Sequence, residues 1–415
     1  MKRRHGIGSA VGLLLGAILG SLAAVTGGTA LLSAGIAVCV TAAIAAPAAV
    51  SGFAWAGLWI VGDAIPPGMG LLASGLLLAL SLACSASTLR WSSLPGAFWW
   101  WGVAWLAVLG ASSAVHPGSE TKIAQVLYGG VLLVVTALLS SERRGRLQML
   151  AVTGALGLLL SVAEVLRVAS GGLVHPEVAA FGLNPIDLAR LTGFAALAWL
   201  WLSAEVARKG WPIVLQLAGL ACVAGTFATG SRGPFAALIV GLIFWLLSSR
   251  GGFSSWILRL LFCVGTAISV TWAAGFAGAR SSAGLIAEDS ARIEAWEAAV
   301  STALAYPLFG AGLGNYLGTM SPVTVLEYPH NVFLQAAAEL GLPAFMLLLA
   351  LGALSFRTGN APARGMLLFS ALCISVSGHI GQSQIWWVAA GLGLACAGSN
   401  STTGPEMQTF VEATT

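Results

Sequence analysis

The sequence predicts an all-α protein that crosses a membrane many times. Hydrophobic residues make up 58% of the 415 residues and charged residues only 8%, and the mean hydropathy is +0.90. Soluble domains carry about 25% charged residues, so this chain has too little polar surface to cover soluble domains. Its apolar residues fall into runs of roughly 17 to 24 residues, which are long enough for helices to cross a bilayer.

The predicted membrane-spanning runs extend from Met69 almost to the end of the chain. The segment from Gly6 to Val61 fits either one crossing with a re-entrant piece or three short crossings, with Pro47 as a break. With both termini cytoplasmic the number of crossings is even, so we expect about 12, or about 14, transmembrane helices. The predicted runs are approximately Met69–Ala86, Ala97–Val115, Ile123–Ser140, Leu147–Arg167, Ile186–Val206, Trp211–Thr229, Phe235–Leu247, Ser255–Phe276, Val332–Ser355, Gly365–Gly378 and Gln384–Ala397.

The distribution of basic residues predicts which ends of these helices face the cytoplasm. Basic residues are enriched in cytoplasmic loops, and here they cluster at Lys2–Arg4, Arg143–Arg146, Arg208–Lys209, Arg250, and Arg357 with Arg364. Alternation from these loops places three segments on the outer side of the membrane: Ser170–Pro185, the turn Thr229–Pro234, and the loop of about 278–331. We expect one transmembrane domain over 1–398 and a disordered cytoplasmic tail over 399–415, which is rich in Ser and Thr.

The predicted outer loop contains an amphipathic helix at about 289–305. Ile293, Trp296, Val300 and Leu304 recur at helical spacing, and Ser290 or Asp289 would cap the helix. A helix at the outer membrane interface and a plain surface helix are both compatible with this pattern.

The composition also limits the classes of ligand. The net charge of +4 does not indicate a nucleic-acid partner. All six cysteines lie in apolar runs without metal-ligand spacing, so they are expected to be buried and structural. We expect no metal and no cofactor.

Arginines at the predicted outer side need an explanation, because charged groups near a bilayer cost free energy. Arg232 lies in the turn TGSRGP between two glycines, where backbone amides and a guanidinium would meet an anion together. Alternatively, Arg232 lies at the membrane interface and pairs with a lipid phosphate. Arg190 follows Asn184 and a proline, an N-cap pair, and either binds an anion or pairs with Asp187. The other outer arginines are Arg280 and Arg292.

His330 occupies a distinctive position in the stretch YPHNVFLQAAAELG, residues 328–341. Asn331 would cap the helix that begins at Val332, so His330 would lie beside a positive helix end, which favours a neutral imidazole. A neutral imidazole accepts a proton from an attacking hydroxyl, although an interfacial histidine without chemistry is the alternative. Glu339 lies roughly 13 Å deeper along a helix, so we expect it to fix a neighbouring helix or a buried arginine. Tyr328 is a supporting residue.

With these residues in place, the chain resembles the O-antigen ligase and polymerase superfamily. The ligase pattern is a His followed by Asn, Ser or Gln, then nine residues and Gly-x-x-Gly. Here His330-Asn331 precedes nine residues and Gly341-Leu342-Pro343-Ala344, so Ala344 replaces the last glycine. Ser290–Tyr316 resembles the family's Arg-x-x-x-Trp helix and following Gly-x-Gly segment. TGSRGP and GLNPIDLAR resemble its Ser-Arg-Gly turn and Asn-Pro helix start, and the similarity covers roughly 106–395.

The resemblance implies a GT-C-type glycosyltransferase with a periplasmic active site and no metal. Its donor would be an undecaprenyl diphosphate-linked glycan, its acceptor lipid A-core, and membrane lipids would surround it. His330 would be the base in an inverting displacement. The diphosphate would be held by Arg190, Arg232 and Arg292, with Arg280 a weaker candidate and Asn184, Tyr328, Asn331 and Glu339 in supporting positions.

Other functions remain open at this stage. Within the superfamily, a polymerase that lengthens a lipid-linked chain and a protein O-oligosaccharyltransferase are alternatives to the ligase. A transporter of a lipid-linked anion would bind the same headgroup without chemistry. A peptidoglycan glycosyltransferase of the shape, elongation and division type would instead depend on a periplasmic Asp, for which Asp289 is the candidate.

Overall fold

The computed structural model of the protein describes residues 46–61, 69–87, 89, 91–171, 179–180, 183–206, 211–248, 282–316, 328–380 and 383–397. Throughout these ranges the regular structure is helical, as the sequence predicts. The helices are α1 (Pro47–Val61), α2 (Met69–Ser85), α3 (Gly96–Val115), α4 (Glu120–Leu139), α5 (Arg143–Ala169), α6 (Pro185–Glu205), α7 (Trp211–Ala228), α8 (Arg232–Ser248), α9 (Ser282–Ala305), α10 (Val332–Leu340), α11 (Leu342–Thr358), α12 (Ala361–Ser377) and α13 (Gln384–Ala395).

The predicted membrane character is visible in the helices themselves. Five helices of the described chain, α3 to α7, are individually long and apolar enough to cross a membrane, and five shorter apolar helices accompany them. Large apolar side chains also point outward on these helices; Trp100 is 77% and Leu106 58% exposed. Such a surface suits contact with lipid. The predicted total of crossings stays a prediction.

The bundle has two chemically different ends. At one end, here called the arginine end, Glu205 pairs with Arg143 at 2.8 Å and with Arg146 at 3.2 Å. At the other, here called the histidine end, Glu164 near the end of α5 accepts a hydrogen bond from the Ala180 backbone at 2.8 Å. Helices α5 and α6 therefore run antiparallel, and α10, α12 and α13 bring His330 and His379 to the histidine end.

The predicted crossing Val332–Ser355 is wrong as a single helix. The structure breaks it into α10 and α11 at Gly341, which has a φ of +92°. A Cβ at Gly341 would lie 2.4 Å from the backbone oxygen of Leu308. The segment 306–316 packs closely here: the Ala311 and Gly312 amides donate to carbonyls of α10 at 2.8 and 2.9 Å. Only glycine allows both this backbone conformation and this close approach.

The amphipathic helix is longer than predicted, and it packs on the bundle through small residues. It begins at Ser282 rather than near residue 289, so neither Ser290 nor Asp289 is its N-terminal cap. Its small residues Ala295 and Ala299 are fully buried, which lets α9 approach α10 closely. Ile293 and Leu304 are instead 54% and 72% exposed, as expected for a helix at the membrane interface.

Several sequence predictions lie outside the described residues. Pro47 begins α1, but the first 45 residues, the predicted crossing Ser255–Phe276, Arg280 and the tail 399–415 are not described. Within α9, the side chains of residues 282–289, including Asp289, are also not described.

Candidate active site

The backbone at His330 is held in an unusual conformation. Its φ is +53°, the one positive value for a non-glycine residue in the described chain, and such strain persists where the surroundings impose it. On one side, the Asn331 side chain caps α10 by accepting from the amides of Phe333 and Leu334 at 3.0 and 3.1 Å. On the other, the indole N–H of Trp296 donates to the Pro329 carbonyl at 2.8 Å. The predicted Asn331 cap is confirmed.

The aromatic ring of Tyr328 packs against the His330 imidazole. The Tyr328 ring lies 4.3 Å from it, centroid to centroid, and 4.8 Å from the imidazole of His379. Tyr328 therefore lies against both histidines, one on the loop before α10 and one on the turn after α12. Nothing near His379 in the sequence marks it as a functional residue.

The electrostatic setting keeps the His330 imidazole neutral. Burial lowers the pKa of His330 from its ordinary 6.5 to about 4, and the positive charges of Arg292 and Arg190 add to this lowering. Its Nδ1 atom is buried and has no hydrogen-bond partner among the described residues. A neutral imidazole is a suitable proton acceptor at neutral pH.

Two predicted arginines lie close enough to act on His330. Arg292 is on α9, one helical turn before Trp296, and makes no hydrogen bond or ion pair with the described part of the chain. Arg190 is 3% exposed and pairs with Asp187 at 2.8 Å. Its guanidinium also donates to the backbone oxygen and, at 3.0 Å, to the hydroxyl of Ser377. The local pair with Asp187 is thus formed, and Asn184 caps α6 as predicted.

Arg232 reaches the same end of the bundle. It is the first residue of α8 and lies two positions after Gly230, whose φ is +68°. A Cβ at the next residue, Gly233, would lie 3.7 Å from Val376, and Val376 precedes the Ser377 that Arg190 binds. On the far side of that turn, a Cβ at Gly378 would lie 2.7 Å from Val332. The turn after α12 therefore connects α6, α8 and α10 around one region.

Glu339 has a partner that sequence reasoning missed. It is fully buried, and its Oε1 lies 3.7 Å from Lys122 Nζ of α4. Its Oε2 accepts from Gln335 Nε2 at 3.1 Å. The expectation that Glu339 fixes a neighbouring helix is confirmed, although its partner is a lysine and not an arginine. The sequence offered one signal for Lys122, which is a charged residue at the edge of an apolar run.

Nothing in the described chain forms a metal centre of the usual composition. Its His, Cys, Asp and Glu residues form no group of three that could hold a metal ion. The charged groups around His330 are instead mainly cations, which suit an anionic ligand.

Fold and site together define a polytopic, all-helical membrane protein with a histidine and several arginines at one end. Residues 217–349 match the family model described as O-antigen ligase, which confirms the resemblance to the O-antigen ligase superfamily. This match covers less than half of the chain and includes Arg232, Arg292 and His330 but not Arg190. A search of curated proteins gave no match to the chain.

Proposed function

We propose that this protein is an O-antigen ligase that works at the periplasmic face of the inner membrane. It would transfer a glycan from undecaprenyl diphosphate to a sugar hydroxyl of lipid A-core, with GT-C-type architecture and without a metal. The observation that carries the proposal is the neutral, half-buried His330 beside Arg292 and Arg190. The family match over residues 217–349 supports the choice of reaction.

In this reaction the acceptor hydroxyl oxygen attacks the anomeric carbon of the donor sugar. The hydroxyl proton passes to His330 as the new glycosidic bond forms. The bond from the anomeric carbon to the diphosphate oxygen breaks on the opposite face, so the configuration inverts. Undecaprenyl diphosphate leaves with the bonding electron pair.

The arginines stabilise the charge that develops on the departing diphosphate. Guanidinium groups bind phosphate oxygens in a bidentate manner, and preorganised cations lower the barrier most where charge appears in the transition state. Arg292 and Arg232 are the principal candidates, and Arg280 is a weaker one in the predicted loop. Arg190 already has protein partners, so it acts on the site mainly through its positive charge.

Transfer in a defined membrane tests this function. Purified protein in proteoliposomes receives undecaprenyl diphosphate-linked O-antigen, lipid A-core and excess chelator, and the core lipid is followed on a gel. We expect a ladder of glycosylated core from the native protein and none from His330→Ala. His116→Ala is a matched control, because that half-buried imidazole packs on Tyr306 instead.

The other outcomes distinguish the alternative functions. A donor chain that lengthens while the core lipid stays unchanged would indicate a polymerase. If neither substrate changes, the ligase proposal is wrong. A ladder that disappears with chelator and returns with a divalent metal would refute the metal-independent mechanism.

A further inference from the structure

A chain of buried polar side chains runs from α4 to the turn that carries His379. Lys122 pairs with Glu339 at 3.7 Å, and Glu339 accepts from Gln335 at 3.1 Å. The Gln335 Oε1 atom then accepts the backbone N–H of Ile380 at 2.9 Å. Glu339 and Gln335 are both fully buried, so these contacts join α4, α10 and the turn after α12 inside the bundle.

This arrangement is difficult to explain by stability alone. A buried ion pair loses hydration, and apolar residues of similar volume often stabilise a fold equally well or better. The chain of contacts also ends at one specific backbone group, the N–H of Ile380. Ile380 follows His379, whose ring lies 4.8 Å from Tyr328.

The network is linked to His330 by two routes. Gln335 and Glu339 lie on α10, which begins directly after the His330-Asn331 pair. From the other side, the turn that Gln335 holds carries His379, which contacts Tyr328, and Tyr328 contacts His330 at 4.3 Å. The network therefore fixes the position of the His379 turn relative to the start of α10. It thereby also fixes the position of Tyr328, which packs on His330.

We propose that Lys122, Glu339 and Gln335 are positioning residues, which hold the His379 turn and Tyr328 against His330. None of the three needs to contact substrate. The role assigned to His330 rests on the proposed function, whereas the positional coupling between the network and the two histidines does not.

Gln335→Met is the most direct test. Methionine is close to glutamine in length and volume and cannot bond the Ile380 amide or Glu339. With the change, kcat for glycan transfer should fall about tenfold or more while the donor KM stays within about threefold, since misplacement of a reacting group affects the chemical step. Gln216→Met on α7 is the matched control, because Gln216 Oε1 has no hydrogen-bond partner in the described chain and lies towards the arginine end.

A second measurement does not depend on the enzyme function. Diethyl pyrocarbonate modifies accessible imidazoles, and peptide mass spectrometry gives a rate for each histidine. In Gln335→Met the rates at His330 and His379 should rise at least about threefold as the turn loosens, whereas the rate at His116 should not change. If the modification rates at His330 and His379 in the folded variant are the same as in the native protein, the proposal is overturned.

The ion pair gives an independent variant series. Lys122→Met leaves the Glu339 carboxylate buried without its cation, so we expect faster modification of His379 and lower kcat. The double change Lys122→Met with Glu339→Gln removes both charges and keeps an acceptor for Gln335, so both readouts should return towards the native values. Failure of this rescue in a stable double variant would contradict the proposal. If the native protein transfers no glycan, the modification rates alone still decide it.

Discussion

At the scale of single residues, His330 combines three properties that rarely coincide. Its backbone is in the left-handed region, its Nδ1 atom is buried without a partner in the described chain, and its pKa is lowered to about 4, first by burial and then by Arg292 and Arg190. A strained, desolvated and neutral imidazole at a helix start is typical of a functional group.

The lowered pKa predicts the pH dependence of the reaction. A base works only when it is deprotonated, so activity should persist from neutral pH down towards about pH 4 and be lost as His330 becomes protonated. The profile of kcat/KM against pH reports this ionisation in the free enzyme. An acid limb near pH 6.5, the ordinary pKa of histidine, would contradict this environment for His330.

A change at Arg292 should shift the acid limb of the pH profile to higher pH. Arg292→Gln removes a nearby positive charge that disfavours protonation of the imidazole, so the pKa of His330 should rise and the acid limb should shift to higher pH. Burial still acts on His330, so the shift should be partial. Arg144→Gln at the arginine end serves as the control and should leave the limb in place.

The sequence alone identified much at the residue scale, but not the contacts between distant segments. The Asn331 cap and the Arg190–Asp187 pair are local; the sequence offered both, and both are formed. Lys122 and Glu339 are more than two hundred positions apart, and His379 meets Tyr328 only through the packing of α10 on α12. Local spacing carries no information about such pairs.

At the scale of elements, α9 connects a candidate anion ligand to the candidate base. Arg292 and Trp296 lie one turn apart on this helix, and Trp296 bonds the Pro329 carbonyl directly before His330. Movement of α9 would therefore change the position of the arginine and the histidine together.

The Trp296 bond can be removed with little change in shape. Trp296→Phe should lower kcat about tenfold, because the loop before α10 loses the donor that holds it, at a stability cost of about 1 kcal/mol. Trp199→Phe is a matched control, since Trp199 donates to the Gly154 carbonyl at 2.9 Å away from His330. Equal kcat losses in both variants would show that the effect is not specific to the site.

The break between α10 and α11 also has a testable physical cause. Gly341→Ala would put a Cβ 2.4 Å from the Leu308 oxygen at a φ of +92°, so the melting temperature and transfer activity should both fall. Gly110→Ala on α3 should have little effect, because a Cβ there meets nothing within 4 Å. A Gly341→Ala variant as stable as the native protein would contradict the observed break. Hydropathy predicted one helix over Val332–Ser355, because a long apolar run looks the same whether or not a single glycine breaks the helix.

At the scale of the whole molecule, the two ends of the bundle have different charge chemistry. Arg143, Arg146 and Arg364 lie at the arginine end with Glu205 and Cys396, in agreement with the clustering that predicted a cytoplasmic side. Composition and apolar run length were enough to predict the helical class. They could not predict which helices are neighbours, because lipid-facing and buried helices are similarly apolar.

The predicted orientation can be checked with single cysteines in a variant whose six native cysteines are replaced. Glu294→Cys on α9 and Glu142→Cys before α5 are both exposed positions, at the histidine and arginine ends respectively. A membrane-impermeant maleimide applied from the periplasmic side should label the first, and should label the second only after the membrane is opened. The reverse pattern would place His330 in the cytoplasm.

The most direct test of the central claim separates donor binding from transfer. Binding of undecaprenyl diphosphate-linked glycan and single-turnover transfer to lipid A-core are measured for the native protein, His330→Ala and Arg292→Ala. We predict that His330→Ala binds the donor within about threefold of the native affinity but transfers at least about a hundredfold more slowly, whereas Arg292→Ala loses binding as well. Transfer at the native rate by His330→Ala would contradict the assignment of His330 as the base.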